Sequence, residues 1–207
     1  MPPALSHRHA LIAAVISLLA FGGLIIIALT PALHGLDREL KLALDGTRHP
    51  LLEVTMRTAT FLGDGSMLLL FTVVTWIVLR RAGDRLAWRL PVIMLGSAAA
   101  EWLLKFLVAR RRPRGGPFAF PSGHVFTSVV FFGMVIYLLW TRDVARPWRL
   151  AGTTVCGLLI VGIALSRIYL RFHWLTDVLG GLSGGAAYLL IALAIADRGP
   201  RASEHAA

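Results

Sequence analysis

Six long apolar runs dominate the chain, at roughly 11–30, 63–80, 90–108, 123–140, 150–168 and 175–196. Each approaches or exceeds the ~18 apolar residues that mark a transmembrane helix, because ~20 residues rising 1.5 Å each cross a bilayer core of ~30 Å. The composition agrees, with 57% hydrophobic residues, 15% charged residues and a mean hydropathy of +0.71. These figures argue against a soluble protein. The expected fold is all-α, an integral membrane bundle of six transmembrane helices, with residues 1–207 forming a single membrane domain. The first run follows Arg8 and is longer than the 7–15 apolar residues usual in a signal peptide, so it reads as an uncleaved span. No internal repeat or low-complexity stretch interrupts the pattern.

Charge orders the loops. The net charge is +10, from 21 Lys and Arg against 11 Asp and Glu. The arginines lie in short loops between apolar runs and not along a polar face, which suits anionic lipid and not nucleic acid. Loop 80–89 carries Arg80, Arg81, Arg85 and Arg89 against Asp84. Loop 141–149 carries Arg142, Arg146 and Arg149 against Asp143. Both read as cytoplasmic under the positive-inside rule, which makes both termini cytoplasmic. Two loops on the other side, ARRRPRGG (109–116) and SRIYLRF (166–172), break that rule. A locally broken rule often marks a functional site. The lone cysteine, Cys156, has no partner in the chain for a disulfide.

Segment 31–60 is charge-balanced and reads as two short helices at the membrane interface. Asp37 is expected to cap the first and Gly46 to end it, with Pro50 opening the second. Leu40, Leu44, Leu51 and Val54 are expected to face lipid.

Three polar clusters fall at the external ends of spans three to six. They are Lys105 with Arg112 and Pro113; PSGH from Pro121 to His124; and Ser166, Arg167, His173 and Asp177. A cation at the centre of a membrane helix costs ~2.5–3.5 kcal/mol, less near the interface. Lys105, Arg112 and Arg167 gather with no comparable set of carboxylates, and a bound phosphate would supply the missing counter-charge. In PSGH, Ser122 is placed to cap the following helix, whose first N–H groups can bind an anion. His173 and Asp177 are four apart, on one face if the sixth span starts near His173. The carboxylate would then fix one imidazole nitrogen and free the other to attack, while His124 could protonate a leaving oxygen.

These clusters resemble the type 2 phosphatidic acid phosphatase family of membrane phosphatases, part of a superfamily related to the vanadium haloperoxidases. Its signature is KxxxxxxRP, PSGH and SRxxxxxHxxxD, and every fixed position is present here. The resemblance implies a phosphatase domain in which His173 forms a phosphohistidine, Asp177 orients it and His124 serves as acid and then base. It implies that Lys105, Arg112, Ser122, Gly123 and Arg167 hold the phosphate, and that neither metal nor cofactor is needed. The sequence also shows no compact His, Cys, Asp or Glu set of metal-ligand type. Glu101 stands where an amide is frequent and Arg171 where a glycine is common. With Trp174 they are placed at the mouth of the site.

Simpler readings stand beside these. His173 with Asp177 could be a structural pair, and Lys105 a snorkelling lysine bonded to Glu101. Arg110, Arg111, Arg114 and Arg171 read as solvated or headgroup-facing charges. His7, His9, His34, His49 and His205 read as surface or interface histidines. LGGLSGG (179–185) reads as a close-packing face, Trp102, Trp140 and Trp174 as interface residues, and Asp64 as a helix cap. The expected substrate is undecaprenyl diphosphate at an external site of a bacterial inner membrane. Phosphatidylglycerophosphate and phosphatidic acid are the alternatives, and an inactive lipid-binding protein is the non-enzymatic one. The oligomeric state is not legible in the sequence.

Overall fold

A computed structural model describes residues 7–46, 49–84 and 87–196. Arg48, Arg85 and His205, and the side chain of His7, lie outside the described residues. Among the described residues, eight α-helices follow in order: α1 His7–Leu29, α2 Gly35–Leu44, α3 Pro50–Leu62, α4 Gly65–Arg81, α5 Arg89–Val108, α6 Gly123–Thr141, α7 Arg146–Tyr169 and α8 Leu175–Ala196. A 3-10 turn, Pro31–Leu33, joins α1 to α2. Helices α1, α5, α6, α7 and α8 are each long and apolar enough to cross a bilayer.

The second expected span takes a different form. Helix α4 has only 17 residues. It reaches membrane-spanning length together with α3, from which it is bent by 51°. The break falls at Gly63 and Asp64, where Asp64 Oδ1 accepts from Ser66 N at 3.0 Å and caps α4, as expected. Ile163 fills the space where a side chain on Gly63 would go, which brings the bend against α7.

Helix α6 is the axis of the bundle, packed on α5, α7 and α8, while α8 also carries α1 and α7 also carries α3. Val125, Phe126, Val130, Phe131, Phe132 and Met134 of α6 are buried. The glycines of LGGLSGG explain how α8 comes so close. A Cβ on Gly181 would stand 2.8 Å from Ser122 O, and one on Gly185 2.7 Å from Phe126 O. Only small residues let two helix backbones approach like this, as the sequence implied. On the outer faces, Leu19, Leu95, Leu107 and Leu158 are each about two-thirds exposed or more. Apolar surface of that extent belongs against lipid tails.

Segment 31–60 does form two short helices, but α2 is seated differently from the expectation. Asp37 does not cap it: the helix starts two residues earlier, and Asp37 is buried at 2% exposure. Leu40 and Leu44 line a narrow crevice beside His173 and do not face lipid. Buried pairing of Asp37, set out below, turns that face of the helix inward. Pro50 opens α3, and Leu51 and Val54 are exposed, as expected.

Candidate active site

Helix α5 ends in a left-handed turn at Ala109, φ 47°, from which residues 110–122 cross the end of the bundle. The Ala119 N–H donates to Arg110 O at 2.8 Å and the Arg112 N–H to Gly116 O at 3.0 Å, folding this loop on itself. One turn before the helix end, Lys105 forms a buried ion pair with Glu101. Gly123, the first residue of α6, lies against that pair. A Cβ there would collide with the Glu101 carboxylate and stand 3.0 Å from Lys105 Nζ. The simpler reading of Lys105 as bonded to Glu101 is therefore correct, and it also puts Lys105 beside PSGH.

Ser122 occupies the N-cap position of α6, but its hydroxyl makes no capping bond, contrary to expectation. Its N–H donates to Asp177 O at 2.9 Å, which ties PSGH to the start of α8. His124 places Nε2 3.7 Å from Asp64 Oδ2. The bend between α3 and α4 thus brings to the site a carboxylate that local reading assigned only to capping.

At the end of α7, Arg167 is buried and donates from Nη1 to Thr60 Oγ1 at 2.5 Å. Its guanidinium lies 4.5 Å from the Phe172 ring centre, a cation–π distance. The chain turns back over the helix end through Arg171, at φ 58°. This left-handed conformation favours glycine, which accounts physically for the glycine expected there. Arg171 instead reaches α2, with Nη2 2.8 Å from Asp45 Oδ1 and 3.1 Å from Leu44 O.

His173 lies before α8, which begins at Leu175, and not on its face as the four-residue spacing suggested. Its Nδ1 is 3.6 Å from Asp177 Oδ2, adjacent but longer than a hydrogen bond. Asp177 Oδ2 instead accepts the Trp174 N–H at 2.8 Å, the reach-back of a capping box. Burial pushes the His173 pKa below 6.5, and the neighbouring Asp177 pushes it back up.

Arg110 overturns the expectation of a solvated charge. It is buried, with Nη1 2.8 Å from Asp177 Oδ1 and 2.5 Å from Thr176 Oγ1, and Nη2 2.7 Å from Asp37 Oδ2. Asp37 accepts from Thr176 N at 3.0 Å and from Thr176 Oγ1 at 2.7 Å. Sequence reading missed Arg110, Asp37 and Thr176 as members of this site. Their local signals were an arginine in a basic loop, an aspartate read as a helix cap and a threonine inside the third motif, none of which points to the others. Arg111 and Arg114 are exposed, as expected.

All three motifs thus meet at one end of the bundle. Lys105 lies beside Gly123 of the second motif, Ser122 is bonded to Asp177 of the third, and Pro113 of the first lines a crevice together with His173. Ser122 Oγ, Arg112 Nε and Arg167 Nε are among the buried polar atoms without a protein partner. Donors gathered this way can hold a tetrahedral oxyanion beside two imidazoles. Among the described residues, no group of three or more His, Cys, Asp or Glu is arranged around a metal position.

Known proteins share both sequence and shape with the chain. Phosphatidylglycerophosphatase B of Bacillus subtilis (strain 168) is 29% identical over 167 residues, covering 75% of this chain and 81% of that one. An undecaprenyl-diphosphatase-like protein of Escherichia coli (strain K12) is 30% identical over 127 residues, covering 56% and 60%. The crystal structure of a transmembrane PAP2-type phosphatidylglycerolphosphate phosphatase from Bacillus subtilis superposes with a TM-score of 0.83 at 24% identity, over 92% of this chain and 98% of that one. Aquifex aeolicus LpxE superposes with a TM-score of 0.60 at 20% identity, over 75% and 93%. At those identities the two structures speak for the fold. The sequence profile of the PAP2 superfamily matches residues 86–200, more than half the chain and all three motifs, and the chain belongs to that superfamily.

Proposed function

We propose that the protein hydrolyses a phosphomonoester or diphosphate of a membrane lipid by way of a phosphohistidine on His173. The observation that carries this reading is the convergence of His124, His173 and the cations of three distant segments at one buried end. Asp177, held by Arg110 and by the Trp174 N–H, keeps the His173 Nδ1 side facing a carboxylate. Nε2 is then the nitrogen that attacks phosphorus. The bond from phosphorus to the leaving oxygen breaks as the new P–N bond forms. His124 supplies the proton to that oxygen, then takes one from the water that cleaves the P–N bond and releases phosphate. Lys105, Arg112 and Arg167, with Ser122 and the backbone at Gly123, stabilise charge on the transferring group. No step in this sequence calls on a metal or cofactor.

Undecaprenyl diphosphate is the first choice of substrate, supported by the likeness to the Escherichia coli protein and by a site at the end opposite the arginine-rich loops 80–89 and 141–149. Phosphatidylglycerophosphate is the second, supported by the likeness to the Bacillus subtilis enzyme. That charge pattern also supports an inner-membrane protein with an external site and cytoplasmic termini. A cysteine placed at Gly116 should then be labelled from outside the cell, and labelling only from the cytoplasm would invert the orientation. The deciding assay is phosphate release by purified protein in detergent, in the presence of EDTA, across lipid phosphates and diphosphates. No release from any of them would leave a lipid-binding protein on this fold as the better reading.

A further inference from the structure

An open cavity of about 480 Å³ lies beside the catalytic end, lined by His34, Arg38, Arg110, Arg111, Arg112 and Trp174. No carboxylate is among its walls. Arg110 does not contribute free charge, since Asp37 and Asp177 neutralise it. Arg38, Arg111 and Arg112 remain, and none forms an ion pair with an acidic side chain among the described residues.

The cavity is built in place. Trp174 Nε1 donates to Arg111 O at 2.9 Å, which fixes the backbone carrying Arg111. The Arg110 guanidinium sits 5.8 Å from the same ring and stiffens that wall. His34 Nε2 is 3.0 Å from Ile27 O, so the turn between α1 and α2 is tied down and Arg38 rises one turn later. Trp174 lines both this cavity and the crevice that holds His173, so this space adjoins the reacting centre. Three like charges crowded beside an anion site call for a second anion, and the guanidinium fork matches phosphate oxygens.

We infer that the cavity formed by Arg38, Arg111 and Arg112 is a second-anion subsite, which takes a further phosphate of the substrate while His173 attacks the first. The inference rests on the phosphatase reading and deepens it. The ligand is a lipid headgroup with two phosphates, joined either directly as a diphosphate or through a spacer as a monoester and a diester. Arg112 faces both groups, and Arg38 on α2 and Arg111 serve the second alone.

The test compares Arg38→Gln, Arg111→Gln and the double variant with the unaltered full chain in detergent, on two substrate pairs. Farnesyl diphosphate is set against farnesyl monophosphate, and phosphatidylglycerophosphate against phosphatidic acid of the same acyl chains. Each substitution should raise KM for the member with two phosphates about tenfold more than for its partner, equivalent to ~1.4 kcal/mol of binding. An effect confined to the farnesyl pair assigns a diphosphate, and one confined to the phospholipid pair assigns the spaced phosphates. Equal changes across all four substrates would overturn the subsite. So would no change, or an effect seen only in vesicles of anionic lipid. If the unaltered protein hydrolyses any of the four, the phosphatase reading survives that failure. If it hydrolyses none, both fall together.

Discussion

The two ends of the bundle treat charge in opposite ways. At one end, Glu101, Lys105, Arg110, Asp37, Arg167, His173 and Asp177 are all less than a tenth exposed. At the other, Arg80, Arg81, Arg142, Asp143 and Arg146 are exposed, and the ion pair of Arg142 with Asp84 leaves the arginine side chain 42% exposed. Burying an ion costs several kcal/mol, and only close partners offset it. A fold gains nothing in stability from charges placed that way, so the buried set has another reason to exist. Under the proposed function, the difference separates charge that would orient the chain in a bilayer from charge that would perform chemistry.

The largest effect expected from the buried end is on turnover. His173→Ala should lower phosphate release by at least ~10³-fold, since it removes the covalent route. The acid-labile phosphorylated protein trapped from the unaltered enzyme should also vanish. Full activity, or labelling on another residue, would remove the proposed nucleophile.

Next in size is Arg110→Met. It leaves Asp37 and Asp177 buried without their shared cation, a loss of ~3–5 kcal/mol. Thermal unfolding in detergent should show it, and phosphate release should fall as Asp177 loses a partner. Adding Asp37→Asn should restore part of the stability, because one uncompensated carboxylate is gone. A cost below ~1 kcal/mol for Arg110→Met would mean that the buried pair is worth no more than a surface one.

How much of this was legible in the sequence follows from how far each interaction reaches. The apolar runs gave the helices, because length and hydropathy are local. The motifs placed eleven residues at one end, because six spans with short loops leave few ways to thread. Asp37, Arg110 and Thr176 were invisible as a group: Arg110 meets its partners across 66 to 73 residues, and Asp37 meets Thr176 across 139. The Asp64–His124 approach depends on a bend that composition does not encode. Ser122 illustrates the reverse error. Its position at the helix start was right, but its hydroxyl makes no capping bond, and its N–H is bonded across the bundle end to Asp177 O.

A smaller effect concerns pH. His173 must be neutral to attack, and burial holds its pKa below 6.5. A depressed pKa keeps the neutral form present as pH falls through 6.5, so kcat/KM should hold there and drop only at lower pH. Asp177 acts in the other direction by favouring the charged ring. Asp177→Asn should therefore move the acid limb further down in pH, while also lowering kcat. A limb that moves up would show that Asp177 does not act on His173 through its charge.

The smallest effect tests the opposite end. Arg142 and Asp84 form a close ion pair, but the arginine side chain is 42% exposed, against 13% for the aspartate, and water competes for the guanidinium. Pairs of this kind contribute ~0–1 kcal/mol and are weakened by salt. Arg142→Gln should change the unfolding temperature little, less still at high salt, and should leave phosphate release unaltered. The Leu138 carbonyl keeps its bond from the Arg142 N–H, because that bond is made by the backbone. If this substitution destabilised the protein as much as Arg110→Met, exposure would not be what separates the two ends. The buried set would then lose its claim to a separate purpose.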